Sequence, residues 1–368
     1  MKYKLDELIE SISDTRKINK DKVILINTSD VGDGLVLNHK YIKNQNLKGQ
    51  FKKRFKKGDI LYSEIRPQNK RFAYIDFDSE DYIASTKLMV LRRKNQLIDN
   101  DYLFYVLKSN TIINRLQILA ELRSGTFPQI TFDELKRIEI DVPKLKEQTK
   151  IVKILKNIED KIKLNNHTND NLFNIGLELL KEDFNRKTDY EVLSNAIKFV
   201  KGKKPLDITL ERKPEYIKYL TIACLNGQEL NYADPTKMIL SNNDLLMVMD
   251  GASSGDVYYG GQGIVGSTLS RVDCIDDNYI SEFIYFIMKY YKDLIQSKNT
   301  GSAIPHTDKV FVGTLKVPKL LIEEQEKYKT LLYKILQNMN ENKILEQLRN
   351  TLLTKFMNGE IDLDKIEI

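Results

Sequence analysis

A run of basic residues in the first quarter of the chain could hold the phosphate backbone of a nucleic acid. Between positions 48 and 71, nine basic residues face two acidic ones and are interleaved with Phe51, Phe55 and Tyr62. Each phosphate that a basic side chain neutralises releases counterions, which strengthens binding at low salt. The alternative is a solvated lysine-rich loop. The residues predicted to contact phosphates are Lys52, Lys53, Arg54, Lys56, Lys57, Arg66, Lys70 and Arg71.

Side chains that could read base edges flank two glycine-containing segments, SGTFPQI at Gly125 and TGSAIPH at Gly301. Arginine can address guanine and glutamine can address adenine, and glycine permits close backbone approach. The alternative is that each segment only turns the chain towards a helix. The candidates in the two segments are Arg123, Ser124, Thr126, Gln129, Thr300, Ser302, His306 and Lys309. A weaker basic cluster near the start of the second half adds Lys201, Lys203 and Lys204.

Sequence motifs for catalysis are absent. The chain has no GxxxxGK[ST] phosphate loop, and none of its eight prolines adjoins another, as the Asn/Asp-Pro-Pro-aromatic tetrapeptide of amino-methyltransferases requires. Asp59, Glu64 and Lys70 have the residue types of a metal nuclease, but exposed charge at a strand edge is the favoured interpretation. The three histidines are dispersed and the two cysteines lie far apart. We therefore predict no catalytic residue, no metal site and no cofactor.

Length and composition indicate a multidomain protein that acts in the cytoplasm. The chain has 368 residues, 41% of them hydrophobic, and a formal net charge of +6. Domains of roughly 100 to 150 residues are the most common, so two or more are expected. No apolar run reaches the ~20 residues that a membrane span needs, and no leader is evident, so we expect no membrane association.

The second half of the chain repeats the first in the same order. SGTFPQI matches TGSAIPH at an offset of 176 residues, and VPKLKEQ matches VPKLLIEEQ at an offset of 177. GDILYSEI also resembles NDLLMVMD, and NDYLFYVLK resembles DNYISEFIYFIMK. Together these matches indicate a duplicated unit of roughly 180 residues.

Each repeat is predicted to begin as a mixed α/β globule and to end in a long helix. Short apolar runs such as VILI, GDILY, FAYIDF and KLMVLRR are bounded by turn residues, which is typical of strands. After Pro143 and Pro318 the apolar residues recur at helical spacing. Each helix places an asparagine in its apolar seam, Asn165 and Asn338. These asparagines either fix the register of a helix pair or mark local fraying.

The ordered repeat of a glycine-containing loop, the strand KRIEIDVP and a PxLxEQxxIVxIL helix resembles the specificity subunits of Type I restriction-modification systems. The resemblance covers essentially the whole chain. It implies an α+β fold with two tandem mixed α/β target recognition domains, separated by two long helices that form an antiparallel coiled coil. The expected bounds are residues 1–142 and 185–317 for the recognition domains, 143–184 for the first helix, and 318–368 for the second helix and tail.

The resemblance also implies a function without catalysis. Each recognition domain is expected to read one half of a bipartite site in double-stranded DNA. The helices are expected to dock two methyltransferase subunits, and motor-endonuclease subunits complete the restricting complex. The alternatives from the residues alone are a self-contained DNA methyltransferase or nuclease, and a stand-alone DNA-binding regulator.

Overall fold

The chain folds into two compact units. The structure is a computed structural model that describes residues 1–32, 34–122, 128–301 and 303–363. Unit 1 comprises Met1–Ile162 and Lys343–Ile368, and unit 2 comprises Lys163–Asn342. In the described part of the chain, no helix is long and apolar enough to cross a membrane.

Unit 1 is a mixed α/β globule, as its short apolar runs predicted. Its elements are β1 (Lys2–Lys4), α1 (Leu5–Leu8), β2 (Ile9–Ser11), β3 (Lys22–Ile26), β4 (Val31–Gly32), β5 (Leu35–Val36), β6 (Ile42–Lys43), β7 (Phe51–Lys53), β8 (Ile60–Ser63), β9 (Phe72–Tyr74), β10 (Tyr82–Ser85), β11 (Leu88–Arg93), α2 (Asn100–Leu107), α3 (Asn110–Leu122), α4 (Phe132–Leu135), β12 (Glu139–Asp141) and the start of α5 (Leu145–Arg186). Its main sheets have the strand orders β2-β11-β8-β9 and β6-β3-β10-β7, and smaller pairs join β1 to β12 and β4 to β5.

The alternation of side chains along β8 and β11 separates the two larger hydrophobic clusters of unit 1. Tyr62 and Met89 point to the cluster that contains Tyr102 of α2. Leu61 and Val90 point to the other cluster, which includes residues of β3 and β10. Because successive strand residues face opposite sides, a strand covered on both faces is a continuous apolar run. This explains the uninterrupted ILY and LMVL segments.

Unit 2 repeats this plan. Its elements are β13 (Tyr190–Val192), α6 (Leu193–Ala196), β14 (Ile197–Lys201), β15 (Ile208–Thr209), β16 (Ile217–Leu220), α7 (Ile222–Leu225), β17 (Tyr232–Ala233), β18 (Leu240–Asn242), β19 (Leu245–Val248), β20 (Val257–Tyr259), β21 (Gln262–Val265), β22 (Leu269–Cys274), α8 (Ser281–Tyr290), α9 (Lys292–Ser297), α10 (Lys309–Gly313), β23 (Lys316–Pro318) and most of α11 (Ile322–Met357). Its sheets are β14-β22-β19-β20, β15-β17-β16-β21-β18 and β13-β23.

The predicted duplication is confirmed at the level of strand pairing. The sheet β2-β11-β8-β9 corresponds to β14-β22-β19-β20, and Ser63 pairs with Leu88 as Val248 pairs with Leu269. Among the described strands, each unit includes a parallel pair, β3 with β10 and β16 with β21. The segment NDYLFYVLK gives α2, and its counterpart in the second half gives α8. The repeated sequence matches therefore mark equivalent elements.

A buried glutamine anchors the start of each long helix. Gln148 accepts a hydrogen bond from the Asp99 backbone N–H at 2.7 Å and donates to the Leu97 and Pro143 carbonyls at 2.8 Å. Gln325, 177 residues later, accepts from the Ile280 N–H at 3.0 Å and donates to two carbonyls in the same manner. Both side chains are fully buried. The glutamine of the repeated EQ motif therefore ties the helix to the loop before α2 or α8.

Asparagines join the α5 and α11 segments of unit 2. Asn165 Nδ2 donates to Asn342 Oδ1, and Asn338 Nδ2 donates to Asn169 Oδ1, both at 2.8 Å. Asn342 also donates to Asn166 Oδ1 at 2.8 Å. Asn165 and Asn338 are buried, and α5 is helical throughout this stretch. The fraying interpretation of these asparagines is therefore wrong, because their amides are satisfied between two intact helical segments.

Candidate nucleic-acid interface

The basic segment of unit 1 is mixed in its exposure. Lys52, Lys56, Lys57, Arg66 and Lys70 are exposed. Lys56 and Lys57 lie in the turn between β7 and β8, while Arg66 and Lys70 flank a 3-10 helix at Pro67–Asn69. Arg66 and Lys70 both adopt a positive φ, at 45° and 52°. Exposure places all five side chains at the surface of unit 1.

The other three basic residues of this segment make contacts within unit 1. Lys53 Nζ donates to the Thr86 and Leu88 carbonyls at 3.0 and 2.8 Å, and burial lowers the pKa of its ammonium group. Arg71 donates to two backbone carbonyls at 3.2 and 3.3 Å. Arg54 is half-buried and forms a β-bridge with Asp14. These contacts hold the sheet edges together.

Of the aromatic residues between the basic ones, Phe55 and Tyr62 belong to the core and Phe51 is half-buried. Phe55 and Tyr62 are 5% and 1% exposed, and burial raises the pKa of the Tyr62 hydroxyl. Tyr62 stacks on Phe72 with ring centroids 5.7 Å apart. The expectation that Phe55 and Tyr62 accompany the basic side chains at a nucleic-acid surface is therefore wrong. Tyr62 lies on β8, which is covered on both faces, and Phe55 belongs to the cluster that includes residues of β3 and β10.

The interpretation of Asp59 as exposed charge at a strand edge is also wrong. Asp59 is fully buried, and Arg92 on β11 donates to both of its carboxylate oxygens at 2.7 and 2.8 Å. Its Oδ2 also accepts a hydrogen bond from the Lys56 N–H at 2.8 Å. A buried carboxylate needs such partners because its desolvation is costly. Among the described residues, no group of three or more His, Cys, Asp or Glu side chains is placed to hold a metal ion.

The structure describes only the end of the unit 1 loop that is predicted to read bases. Arg123, Ser124 and Thr126 lie outside the described residues. Gln129 is half-buried, forms a β-bridge with Ile65, and its Oε1 accepts a hydrogen bond from Lys87 Nζ at 2.9 Å. Lys87 Nζ also lies 3.8 Å from Glu64 Oε2. Gln129 is therefore fixed beside the exit of β8 by a charged side chain.

The corresponding loop of unit 2 is closed by backbone hydrogen bonds. The Thr300 and His306 N–H groups each donate to the other's carbonyl, at 2.9 and 2.7 Å. Between them Gly301 adopts φ +89°, where an added Cβ would lie 2.4 Å from the Ile304 oxygen. This position therefore requires glycine for a contact within the loop itself. Ser302 lies outside the described residues.

His306 and Lys201 meet the carboxylate of Asp250. His306 Nδ1 lies 2.7 Å from Asp250 Oδ1, and Lys201 Nζ lies 3.7 Å from Asp250 Oδ2. Asp250 follows β19 as Ile65 follows β8, and it forms a β-bridge with His306 as Ile65 does with Gln129. Neither Asp250 nor Lys87 was among the residues predicted for the site. Their position next to repeated β-strand segments was a signal, but only the sheet register brings them to the loops.

The weaker basic cluster of unit 2 lies at the end of β14, in the sheet β14-β22-β19-β20, and in the residues that follow it. Lys203 and Lys204 are exposed and follow Gly202, where an added Cβ would lie 2.2 Å from the Gly266 oxygen. Lys309, the first residue of α10, holds its ammonium 5.9 Å from the centre of the Phe199 ring. Lys201 ends β14, Lys203 and Lys204 follow it in the chain, and Lys309 contacts Phe199 on the same strand.

Comparisons with known proteins agree on one family. The family model described as Type I restriction modification DNA specificity domain matches residues 1–174 and 178–352. The Type I restriction enzyme HindI specificity subunit of Haemophilus influenzae is 28% identical over 98% of this chain and 99% of that protein. The MjaIX specificity subunit of Methanocaldococcus jannaschii is 21% identical, covering 85% and 79%. The solved Type-I S subunit from M. genitalium has a similar fold, with a TM-score of 0.54, 18% identity and coverage of 97% and 96%.

Proposed function

The chain belongs to the family of Type I restriction-modification DNA specificity domains, and from this membership we propose how its two repeats divide the reading of DNA. Members of this family are the non-catalytic DNA-recognition subunits of Type I systems. The chain is therefore a specificity subunit that binds DNA by sequence. A self-contained methyltransferase or nuclease and a stand-alone regulator are set aside.

We propose that each repeat reads one half of a bipartite DNA site. The recognition domains in this proposal are residues 1–142 and 185–317. The observation that carries it is the matched framework of the two units, with equivalent sheets, equivalent helix anchors at Gln148 and Gln325, and an equivalent loop beside the exit of β8 or β19. Two copies of one framework with different side chains at the same loop are suited to reading two different sequences.

Within each domain we assign positioning to the basic residues and base reading to the loops. Phosphate contacts fix a protein on DNA but carry no sequence information directly. The exposed Lys52, Lys56, Lys57, Arg66 and Lys70 would hold the backbone in the first half, and Lys203 and Lys204 in the second. Loop residues around Gln129 and His306 would then face the bases. The intramolecular contacts of Lys53 and Arg71 reduce their share in this role.

The two long helices would form an antiparallel coiled coil that spaces the domains. In unit 2, Asn165 contacts Asn342 and Asn169 contacts Asn338, so the partner number falls along α11 as the number rises along α5. That order is typical of antiparallel segments, and buried asparagines in an apolar seam specify register. The helical regions, residues 143–184 and 318–368, would dock two methyltransferase subunits, and motor-endonuclease subunits would complete the complex.

A domain exchange tests the division into two readers. Residues 185–317 would be replaced by the matching domain of a specificity subunit with a different target, and the chain expressed with its methyltransferase. Sequencing of methylated bases should show one half of the recognised site changed and the other half retained. A site that changes in both halves, or in neither, would contradict independent reading.

A further inference from the structure

Gln129 and His306 occupy equivalent places in the two units. The charged neighbour that contacts the side chain is basic in unit 1 and acidic in unit 2. They lie 177 residues apart, the same separation as Gln148 and Gln325, and each forms the β-bridge to the residue that follows β8 or β19. Lys87 Nζ donates to Gln129 Oε1 at 2.9 Å in unit 1, whereas Asp250 Oδ1 lies 2.7 Å from His306 Nδ1 in unit 2. The charged neighbour decides which atom of each side chain it engages.

In unit 1 the amide atom of Gln129 that Lys87 does not contact is a hydrogen-bond donor. A lysine ammonium can only donate hydrogen bonds, so the amide atom of Gln129 that faces Lys87 is the carbonyl oxygen. The amide nitrogen then points away from Lys87 with its two hydrogens. Lys87 is held on its other side by Glu64 Oε2 at 3.8 Å. Gln129 therefore presents a hydrogen-bond donor.

In unit 2 the ring nitrogen of His306 that Asp250 does not contact is a hydrogen-bond acceptor. An ionised carboxylate can only accept, so His306 carries its hydrogen on Nδ1, where Asp250 lies. In the neutral form of the ring, and only in that form, Nδ1 carries the one N–H and Nε2 keeps a lone pair. The His306 side chain is 50% exposed. Its Nε2 therefore presents a hydrogen-bond acceptor, the opposite of Gln129.

Both positions are held by a rigid backbone. The Arg66 N–H donates to the Pro128 carbonyl at 3.0 Å, and the Ile130 N–H donates to the Glu64 carbonyl at 2.8 Å, on either side of Gln129. In unit 2 the Gly251 N–H donates to the Pro305 carbonyl at 2.9 Å, next to His306. Recognition atoms are selective when their supports hold them in one orientation. Both side chains meet that condition.

We propose that Gln129 and His306 are specificity-determining residues that read base edges of opposite hydrogen-bonding polarity. This rests on the proposed function, in which each repeat reads one half-site. Gln129 Nε2 would donate to a major-groove acceptor, namely O6 or N7 of guanine, O4 of thymine or N7 of adenine. His306 Nε2 would accept from an exocyclic amino group, at N6 of adenine or N4 of cytosine. Lys87 and Asp250 are positioning residues that set the polarity.

Charge reversal of the two positioning residues tests the proposal. In Lys87→Glu a carboxylate can only accept, so it turns the Gln129 amide and exposes the oxygen. In Asp250→Lys an ammonium donates to His306 Nδ1, so the hydrogen moves to the exposed Nε2. The chain with its methyltransferase would be assayed at pH 8, where an ordinary imidazole is neutral, on duplexes randomised across both half-sites. We expect the preferred base to change at one position of the corresponding half-site, by roughly tenfold or more, while the other half-site is retained.

Two kinds of control separate base reading from charge. Lys70→Glu makes the same charge change in unit 1 and should weaken binding to all sequences alike, because phosphate contacts carry no base preference. Gln129→Ala and His306→Ala should relax preference at the same single positions. Charge reversals that shift all sequences equally, with base preferences unchanged, would overturn the proposal. If the domain exchange still alters one half-site in that case, the division into two readers stands and only this inference fails.

Discussion

In both units a buried glutamine anchors the start of the long helix with the same three hydrogen bonds. The two units nevertheless distribute charge differently around their sheets. Gln148 and Gln325 are interchangeable in burial and in the kind of partner. Asp59 in unit 1 is fully buried with Arg92, whereas the arginine of the corresponding strand β22, Arg271, pairs with Asp273 on a partly exposed face. The duplicated framework thus keeps the contacts that anchor the long helices, while the charge pairs around its sheets differ between the units.

The largest difference is expected from the arginines of β11 and β22. Arg92→Met leaves the Asp59 carboxylate buried without its ion pair, which should cost about 3–5 kcal/mol of unfolding free energy. Arg271→Met, the matched control, removes a partly exposed pair and should cost about 1 kcal/mol or less. Denaturant unfolding of the full chain, with hydrogen exchange to locate the loss in each unit, measures both. Equal costs would show that burial of Asp59 does not distinguish the units.

The helix anchors should respond alike. Gln148→Leu orphans the Asp99 N–H and the Leu97 carbonyl, and Gln325→Leu orphans the Ile280 N–H and the Asn278 carbonyl. A buried polar group left unsatisfied costs about 1–3 kcal/mol. The two variants should therefore lose similar stability, each in its own unit, by the same unfolding and exchange measurements. A loss confined to one variant would break the equivalence of the anchors.

The basic clusters should differ in their effect on salt dependence. Each lost phosphate contact lowers the slope of log affinity against log salt by about 0.9. Replacing Lys52, Lys56 and Lys57 by Ala should therefore lower the slope more than replacing Lys203 and Lys204. Lys53→Ala is the control, since its ammonium is engaged by the Thr86 and Leu88 carbonyls. Titration of duplex DNA at several salt concentrations measures the slopes, and unchanged slopes would identify both clusters as solvated surface.

The smallest effect concerns the first turns of the long helices under acid. Hydrogen bonding from Lys187, together with the Leu321 N–H and Arg186, lowers the pKa of Glu324 to about 2. Because its folded pKa lies below the ordinary value, Glu324 stabilises the fold above about pH 4.3, and this contribution is lost as pH falls towards 2. Glu324→Gln should remove this acid dependence, worth about 1 kcal/mol or less. Glu147→Gln, at the equivalent position in unit 1, is the control and should leave the acid dependence due to Glu324 unchanged. Unfolding measured as a function of pH compares the two variants.

Most of the framework could be predicted from the sequence because its signals are local. Strand runs such as ILY and LMVL lie where alternation and turn residues placed them, and both long helices follow Pro143 and Pro318 as expected. The ordered sequence repeat was sufficient to identify the equivalent elements of the two units. Hydrophobic periodicity and proline act over a few residues, so the order of residues alone carries them.

The chemistry of individual side chains was decided by tertiary structure. The sequence places Asp59 among lysines, but pairing of β8 with β11 buries it against Arg92. It places Tyr62 near the same lysines, but alternation along β8 turns the ring into the core. Lys87 and Asp250 lie 42 and 56 residues from the side chains they hold, Gln129 and His306. Burial and charge pairing depend on which distant strands meet, and strand register brings those residues together while composition and spacing do not specify it.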